Sequence, residues 1–471
     1  MKEKYKLLSK NLGFFALSGF IPKALSFFLV PLYTNILSTA DYGISDLITT
    51  TVMFLIPIAT LDIQDAAMRY ALDKKYDNKE VFNVALQIFI IGTVVVAFGS
   101  FCVSLFNIPG LKNEYLFFLT LTFFSQAGFS TFSLYCRGID CVKQVAVASI
   151  INSVATLTFN ILFLLVFKWG LNGYLLANSI GPLIGLIYLF GAAQLFRCLK
   201  LHVSSRVRRE MIGYSFPLIF GVVSWWINSA ADRYIISAMY GVAISGVYAV
   251  AYKIPSILSM FGNIFSQAWS ISAVNEYDLH DNDGFFGKTY TLMNFAIITV
   301  SSILTILDIP LARMLYAKEF FEAWHYVPFI LLAVVFDTMS QFIGGVFTAV
   351  KDTKVISYTT IAGAAINLIL NFLLIPSFGA FGAAVATAVG YGCVYITRLV
   401  AMRKYIKMKF SLFQTIVTNI LLLLQICIAQ FGVKSILVQC IILIIIIAIH
   451  RQELKKITAL MRSYLDKVKM H

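Results

Sequence analysis

Apolar runs of about 20 residues recur along the whole chain, and no other feature restricts its fold as strongly. A helix rising 1.5 Å per residue needs roughly that length to cross a bilayer core about 30 Å thick. In lipid every backbone polar group must be satisfied within the spanning element. Continuous apolar runs therefore predict helices, whereas β-barrel strands would alternate apolar and polar residues. Charged residues make up only 13% of the 471, and mean hydropathy is +0.83. A soluble domain carries about 25% charged residues, so the charges here are too few to coat a globule. The expected fold is an all-α polytopic membrane protein with fourteen spans. They lie near 12–37, 44–67, 83–106, 115–136, 144–167, 173–196, 212–239, 245–271, 289–310, 325–350, 355–376, 380–402, 411–431 and 433–450. The basic start MKEKYKLLSK leads into a run that passes 20 residues without a small-residue cleavage site, so it is taken as a retained first span rather than a signal peptide.

Charge placement orients these spans. Of 37 Lys and Arg residues, 28 fall on the side holding the N-terminus, the even-numbered loops and the C-terminal tail. Five fall on the other side, and four (Lys23, Arg233, Lys253 and Arg398) fall within spans. Cytoplasmic loops carry the excess of positive charge, so both termini are expected in the cytoplasm. The net charge of +14 is then a property of loops near anionic headgroups, not a nucleic-acid footprint. One loop on the basic side, NEYDLHDNDG (275–284), is acidic. No loop or tail is long enough for a soluble domain, so functional groups must sit within or just outside the bundle. Seven cysteines form no CxxC pair, and the five histidines show no metal-ligand spacing. No metal, cofactor or disulfide is expected.

Two stretches repeat each other, 140–181 and 351–390. Lys143 precedes Asn160, and Lys354 precedes Asn371, by the same interval. A G-x-x-G follows in each, Gly170/Gly173 and Gly379/Gly382, and then Gly181 and Gly390. The match sets spans 5–6 against spans 11–12. An offset of six spans is even, so the halves are parallel repeats. Two six-helix lobes around a central cavity are expected, 1–200 and 201–410, with 411–471 adding two helices and a basic tail. Repeated lobes with a site between them suit alternating access by rocking.

Charges inside the spans need a reason, since each costs about 2.5–3.5 kcal/mol on insertion scales. Lys23 lies midway along span 1 and Asp337 near the middle of span 10. Asp232 and Arg233 lie in the outer half of span 7, Lys253 in that of span 8. Adjacent helical residues point about 100° apart, so Asp232 and Arg233 cannot aim at one spot. In one reading Asp232 pairs with a neighbouring helix, with Lys253 as a candidate partner. In the other, Lys23, Arg233 and Lys253 form a cationic cavity surface suited to an anionic ligand. Asp65 and Arg69, at the cytoplasmic end of span 2, have the spacing of an i,i+4 pair. Arg398 is expected to snorkel to the cytoplasmic face.

The run NLGFFALSGFIPKALSFFLVPLYTNILSTADYGISDL resembles the opening of the polysaccharide transporter family, and so do DRYIIS and GVYAVAYK further on. That family includes Wzx-type O-antigen and capsule repeat-unit flippases. It lies in the multidrug/oligosaccharidyl-lipid/polysaccharide exporter superfamily, beside MATE-type multidrug exporters and lipid II flippases. The resemblance implies a non-enzymatic flippase of the bacterial inner membrane that carries an undecaprenyl-diphosphate-linked oligosaccharide outward. Its implied partners are that glycan, membrane lipids, H⁺ or Na⁺ as coupling ion, a glycan polymerase and a chain-length regulator. Charge-assisted hydrogen bonds from Lys23, Arg233 and Lys253 would neutralise the diphosphate. Trp225, Trp226, Tyr234 and Tyr252 are candidates to stack on sugars, with lipid-facing packing as the alternative. Asp232 and Asp337 are candidates for ion coupling. A MATE-type cation antiporter is the competing transporter, disfavoured by the basic excess. A membrane polymerase or glycosyltransferase would need a sizeable catalytic loop.

Overall fold

The computed structural model describes residues 27, 29–106, 112–200 and 204–454, in which all regular structure is helical. Every span expected from the second onward falls on helix, with the second (44–67) interrupted at Leu61 and Asp62 and the eighth (245–271) bent between two helices. Eleven helices are long and apolar enough to cross a membrane, or twelve if one bent pair counts as a span. The first span lies largely outside the described residues, apart from α1 (Val30–Ile36). The chain falls into two compact units, Ile21–Gly246 and a second containing Val247–His471.

The first unit holds α2 (Thr39–Ala59), α3 (Ile63–Ala71), α4 (Asn78–Leu105), α5 (Asn113–Gly138), α6 (Val142–Ile161), α7 (Gly170–Ala192) and α8 (Ser205–Tyr240). Ser38 starts α2 with a capping box: its hydroxyl accepts from Asp41 N at 3.1 Å, and the Asp41 carboxylate accepts from Ser38 N at 3.3 Å. Leu61 and Asp62 take positive φ, 52° and 49°, which interrupts the helix before α3. Phe82, Phe132 and Phe190 fill the centre, with ring centroids 5.0–6.1 Å apart. Lipid tails are as apolar as these rings, so close packing rather than water exclusion holds the helices together. α8, placed in the second lobe from sequence, packs on α2, α3 and α4.

Helix α9 (Val242–Ala251) follows a turn at Gly241. It crosses α2 at two glycines. A Cβ on Gly43 would lie 2.2 Å from Val242 O, and one on Gly246 would lie 2.0 Å from Thr39 O. Only residues without a side chain permit this approach.

The second unit holds α10 (Lys253–Asn275), α11 (Phe285–Ile306), α12 (Asp308–Leu315), α13 (Val327–Ala349), α14 (Lys354–Met402), α15 (Leu412–Ala429) and α16 (Ile436–Ile449). Trp269 stacks on Phe342 at 4.2 Å and donates to Phe342 O at 2.8 Å, joining α10 to α13. The acidic loop 275–284 has a structural task. Asp281 is fully buried, and its carboxylate accepts from Phe286 N and Gly287 N at the start of α11, each at 3.0 Å, and from Lys409 N at 3.2 Å. One carboxylate thus satisfies orphan amides of a helix N-terminus and ties two loops together.

The repeat is legible in backbone detail within each unit. Gly170 has φ +54° and Gly379 φ +57°, and each turns one span of its hairpin into the next. Gly379, with ψ −143°, breaks the 49-residue α14 into the two spans expected at 355–376 and 380–402. Asn160 and Asn371 are both fully buried, and each turns its amide back on the preceding helical turn, to Thr156 O at 2.8 Å and Asn367 Oδ1 at 3.0 Å. Gly379→Ala should cost about 1–3 kcal/mol, because its backbone conformation is nearly exclusive to glycine. A Tm in detergent lower by several degrees checks this, whereas an unchanged Tm would mean the hairpin relaxes without strain.

Candidate functional site

The buried charge in the first unit is where α2 and α8 meet. Arg233 Nε lies 3.0 Å from Asp46 Oδ2. The guanidinium also donates from Nη1 to Ser229 O at 3.3 Å, and Arg233 is 9% exposed. Asp232 is 1% exposed, and its side chain accepts from Arg233 N at 2.8 Å, so it lies close to its own helix backbone. Ser245 Oγ donates to Arg233 O at 3.1 Å, which ties this turn of α8 to α9. Tyr42 lies within electrostatic reach of both Asp46 and Arg233. Tyr174 touches Tyr42 and Tyr33, at centroid distances of 6.2 and 4.7 Å.

The aromatic candidates on α8 divide. Trp226 Nε1 donates to Thr50 O at 2.8 Å, and its ring packs on Phe54 at 4.6 Å and Tyr234 at 5.5 Å. The Tyr234 hydroxyl meets Thr51 Oγ1 at 2.6 Å. These two residues join α8 to α2. Trp225, 44% exposed, is the ring that remains accessible.

Lys253, Tyr252 and Asp337 belong to the second unit. Lys253 opens α10 just after a bend of 44° from α9, and is half-buried. Tyr252 packs edge-on against Tyr248 at 5.5 Å. Asp337 accepts from Gln341 Nε2 at 2.8 Å. Lys23 lies outside the described residues. Within the first unit the structure brings Asp232, Arg233, Trp226 and Tyr234 together, and adds Asp46.

Arg398 departs from expectation. It does not snorkel: it is 6% exposed and bridges helices. Its guanidinium donates to Ser340 O at 3.0 Å, Thr359 Oγ1 at 3.0 Å, Ile356 O at 3.3 Å and Thr360 Oγ1 at 2.9 Å. These acceptors lie on α13 and the first half of α14, and Asp337 is close enough to act on its charge. Buried between two helices, the side chain has hydrogen-bond partners that a route to the headgroups would forfeit. Asp65 and Arg69 form no ion pair among the described residues; Arg69 is exposed and lines a separate hollow.

Long apolar helices in repeated hairpins, a buried ion pair and interrupted spans define a multi-pass membrane protein. Residues 8–270 match the family described as polysaccharide biosynthesis protein, and residues 217–373 match the MatE family. The chain belongs to the polysaccharide biosynthesis protein family. It is 22% identical over 258 residues to the probable low-salt glycan biosynthesis flippase Agl15 of Haloferax volcanii, which covers 52% of this chain and 54% of that protein. It thus spans about half the length of that relative. An uncharacterized membrane protein of Methanocaldococcus jannaschii, MJ1068, is 21% identical, covering 85% of each chain. The fold is similar to the lipid II flippase MurJ in an inward closed conformation, at TM-score 0.69 and 15% identity over 94% of this chain and 99% of that one. It is also similar to an inward-facing MATE transporter, at TM-score 0.67 and 14% identity over 83% of this chain and 97% of that one.

Proposed function

We propose that the protein is a flippase that moves an undecaprenyl-diphosphate-linked oligosaccharide across a bacterial inner membrane by alternating access. The observation that carries this reading is a buried guanidinium, Arg233, held by Asp46 of another helix. A diphosphate offers more negative charge than one carboxylate and matches the planar fork of arginine. It can therefore compete with Asp46 for Arg233. Lys23 and Lys253 extend the cationic surface, and Trp225 offers a sugar an accessible ring. The lobes 1–200 and 201–410 rock about the site, with 411–471 outside the repeat. Asp232 and Asp337 are the carboxylates for a coupling H⁺ or Na⁺. Both termini are cytoplasmic, and a glycan polymerase and chain-length regulator act downstream.

The test is transport in proteoliposomes of an undecaprenyl-diphosphate-linked oligosaccharide, scored by its access to an external sugar oxidant. The wild-type protein should move it, and Lys253→Ala should slow it at least about tenfold, the equivalent of some 1.4 kcal/mol. The MatE match favours one second reading, export of organic cations. Transport of a lipophilic cation without transport of the glycolipid would establish that reading and overturn the first.

A further inference from the structure

The first unit holds a polar hollow that the buried ion pair does not use. The end of α3, the turn after it and the start of α8 enclose about 220 Å³, lined by Arg69, Tyr70, Asp73, Tyr76 and Tyr214. Three rings converge there: Tyr70 and Tyr76 at 4.7 Å between centroids, Tyr70 and Tyr214 at 6.0 Å. Their planes are inclined by 57° and 72°, so they form walls rather than a stack. One wall is pinned. Tyr76 donates to Glu210 Oε2 at 2.8 Å, and Glu210 Oε1 accepts from Arg206 Nε at 2.8 Å. Asp73 holds the turn, accepting from Lys75 N at 3.1 Å.

The lining states the ligand class. Tyrosine faces suit the apolar C–H face of a pyranose, and a carboxylate and a guanidinium suit its hydroxyls. Lone interfacial tyrosines are common in membrane proteins, but three rings converging on one acid and one base are a more specific arrangement. A second hollow of about 490 Å³ lies on the neighbouring face of α8, lined by Ser205, Arg208, Arg209, Ile212, Gly213, Phe216 and Pro217. It pairs cations with apolar side chains, as a diphosphate followed by isoprene units requires. Both hollows sit beside loops rich in Lys and Arg, the expected cytoplasmic side.

We propose that the Tyr70–Tyr76–Tyr214 hollow is a sugar-binding site that engages the glycan of the lipid-linked substrate before translocation, while the Arg208–Arg209 groove takes its diphosphate. This rests on the flippase reading and deepens it. The site selects for a loaded carrier, since the lipid without a sugar leaves the tyrosine walls uncovered.

The test uses the full-length protein in nanodiscs and two probes, undecaprenyl diphosphate and undecaprenyl diphosphate bearing one N-acetylhexosamine. The wild-type protein should bind the sugar-bearing probe about tenfold more tightly, the scale of one or two good ring contacts. Tyr214→Ala should bring the two dissociation constants to within about threefold, and Tyr214→Phe should keep the preference, because the ring and not its hydroxyl makes the contact. Arg208→Gln with Arg209→Gln should weaken both probes alike. Equal binding of both probes by the wild type, or a preference untouched by Tyr214→Ala, would overturn the sugar site and leave the flippase reading standing. Binding of neither probe would remove both.

Discussion

Arg233→Ala is expected to abolish export of surface glycan in a strain lacking its own transporter, and exchanging the two charges should not restore it. The pair has two separable roles. As a structural contact it needs only one positive and one negative group, 3.0 Å apart across α2 and α8. Removing one partner of a buried pair costs about 3–5 kcal/mol, because the other charge is left uncompensated. Asp46 has a side-chain exposure of 19%, so water and protonation offset part of that cost here. Asp46→Arg combined with Arg233→Asp should therefore recover most of the Tm lost by Arg233→Ala. It should not recover export, because the guanidinium now projects from α2 instead of α8. Full export by the exchanged protein would reduce the pair to a packing device and remove Arg233 from the substrate path.

The second large effect is expected at Arg398. Its guanidinium fills four acceptors on two helices. Arg398→Met removes all four hydrogen bonds and with them the tie between α13 and α14. A hydrogen bond to a charged group contributes about 1.5–3 kcal/mol, so the variant should unfold well below the wild type in detergent or fail to accumulate. Arg398→Lys should rescue little, since one ammonium cannot reach acceptors arranged around a planar fork. Normal accumulation and an unchanged Tm for Arg398→Met would return the residue to the interfacial, snorkelling role.

The span pattern was readable in the sequence because lipid imposes length and hydropathy on each helix separately, and the repeat because Gly170 and Gly379 have a backbone duty that no other residue performs cheaply. Contacts were not readable. Asp46, near the start of the second expected span, was not singled out; its partner lies 187 positions away, and no spacing rule joins them. Trp226 and Tyr234 were candidates for sugar stacking because aromatic rings near charges look the same from sequence whether they face a cavity or another helix. Depth misled at Arg398, where nearness to the cytoplasmic end suggested escape to the headgroups but hydroxyls on the paired half of α14 offered closer partners. The task of the acidic loop, with Asp281 serving amides at the start of α11 and at Lys409, depends on where the chain folds back. Lys23, the first cation within an expected span, lies outside the described residues and keeps its role as a proposal.

The glycine crossing has a mechanical consequence. Where Gly43 meets Gly246 the two backbones touch directly, with Val242 Cγ1 the one side-chain atom close to Gly43, so the contact has little compliant range. Two helices touching through flexible side chains can separate by degrees, each rotamer change absorbing part of the motion. Backbone against backbone, the α2 crossing is either seated or parted, and the Asp46–Arg233 ion pair a few residues away must open in the same event. Movement of α2 away from the α8–α9 tip should thus behave as a latch with a threshold. In single-molecule recordings across this crossing, the distance should jump between two values instead of drifting, with dwell times that shorten when either glycine is enlarged.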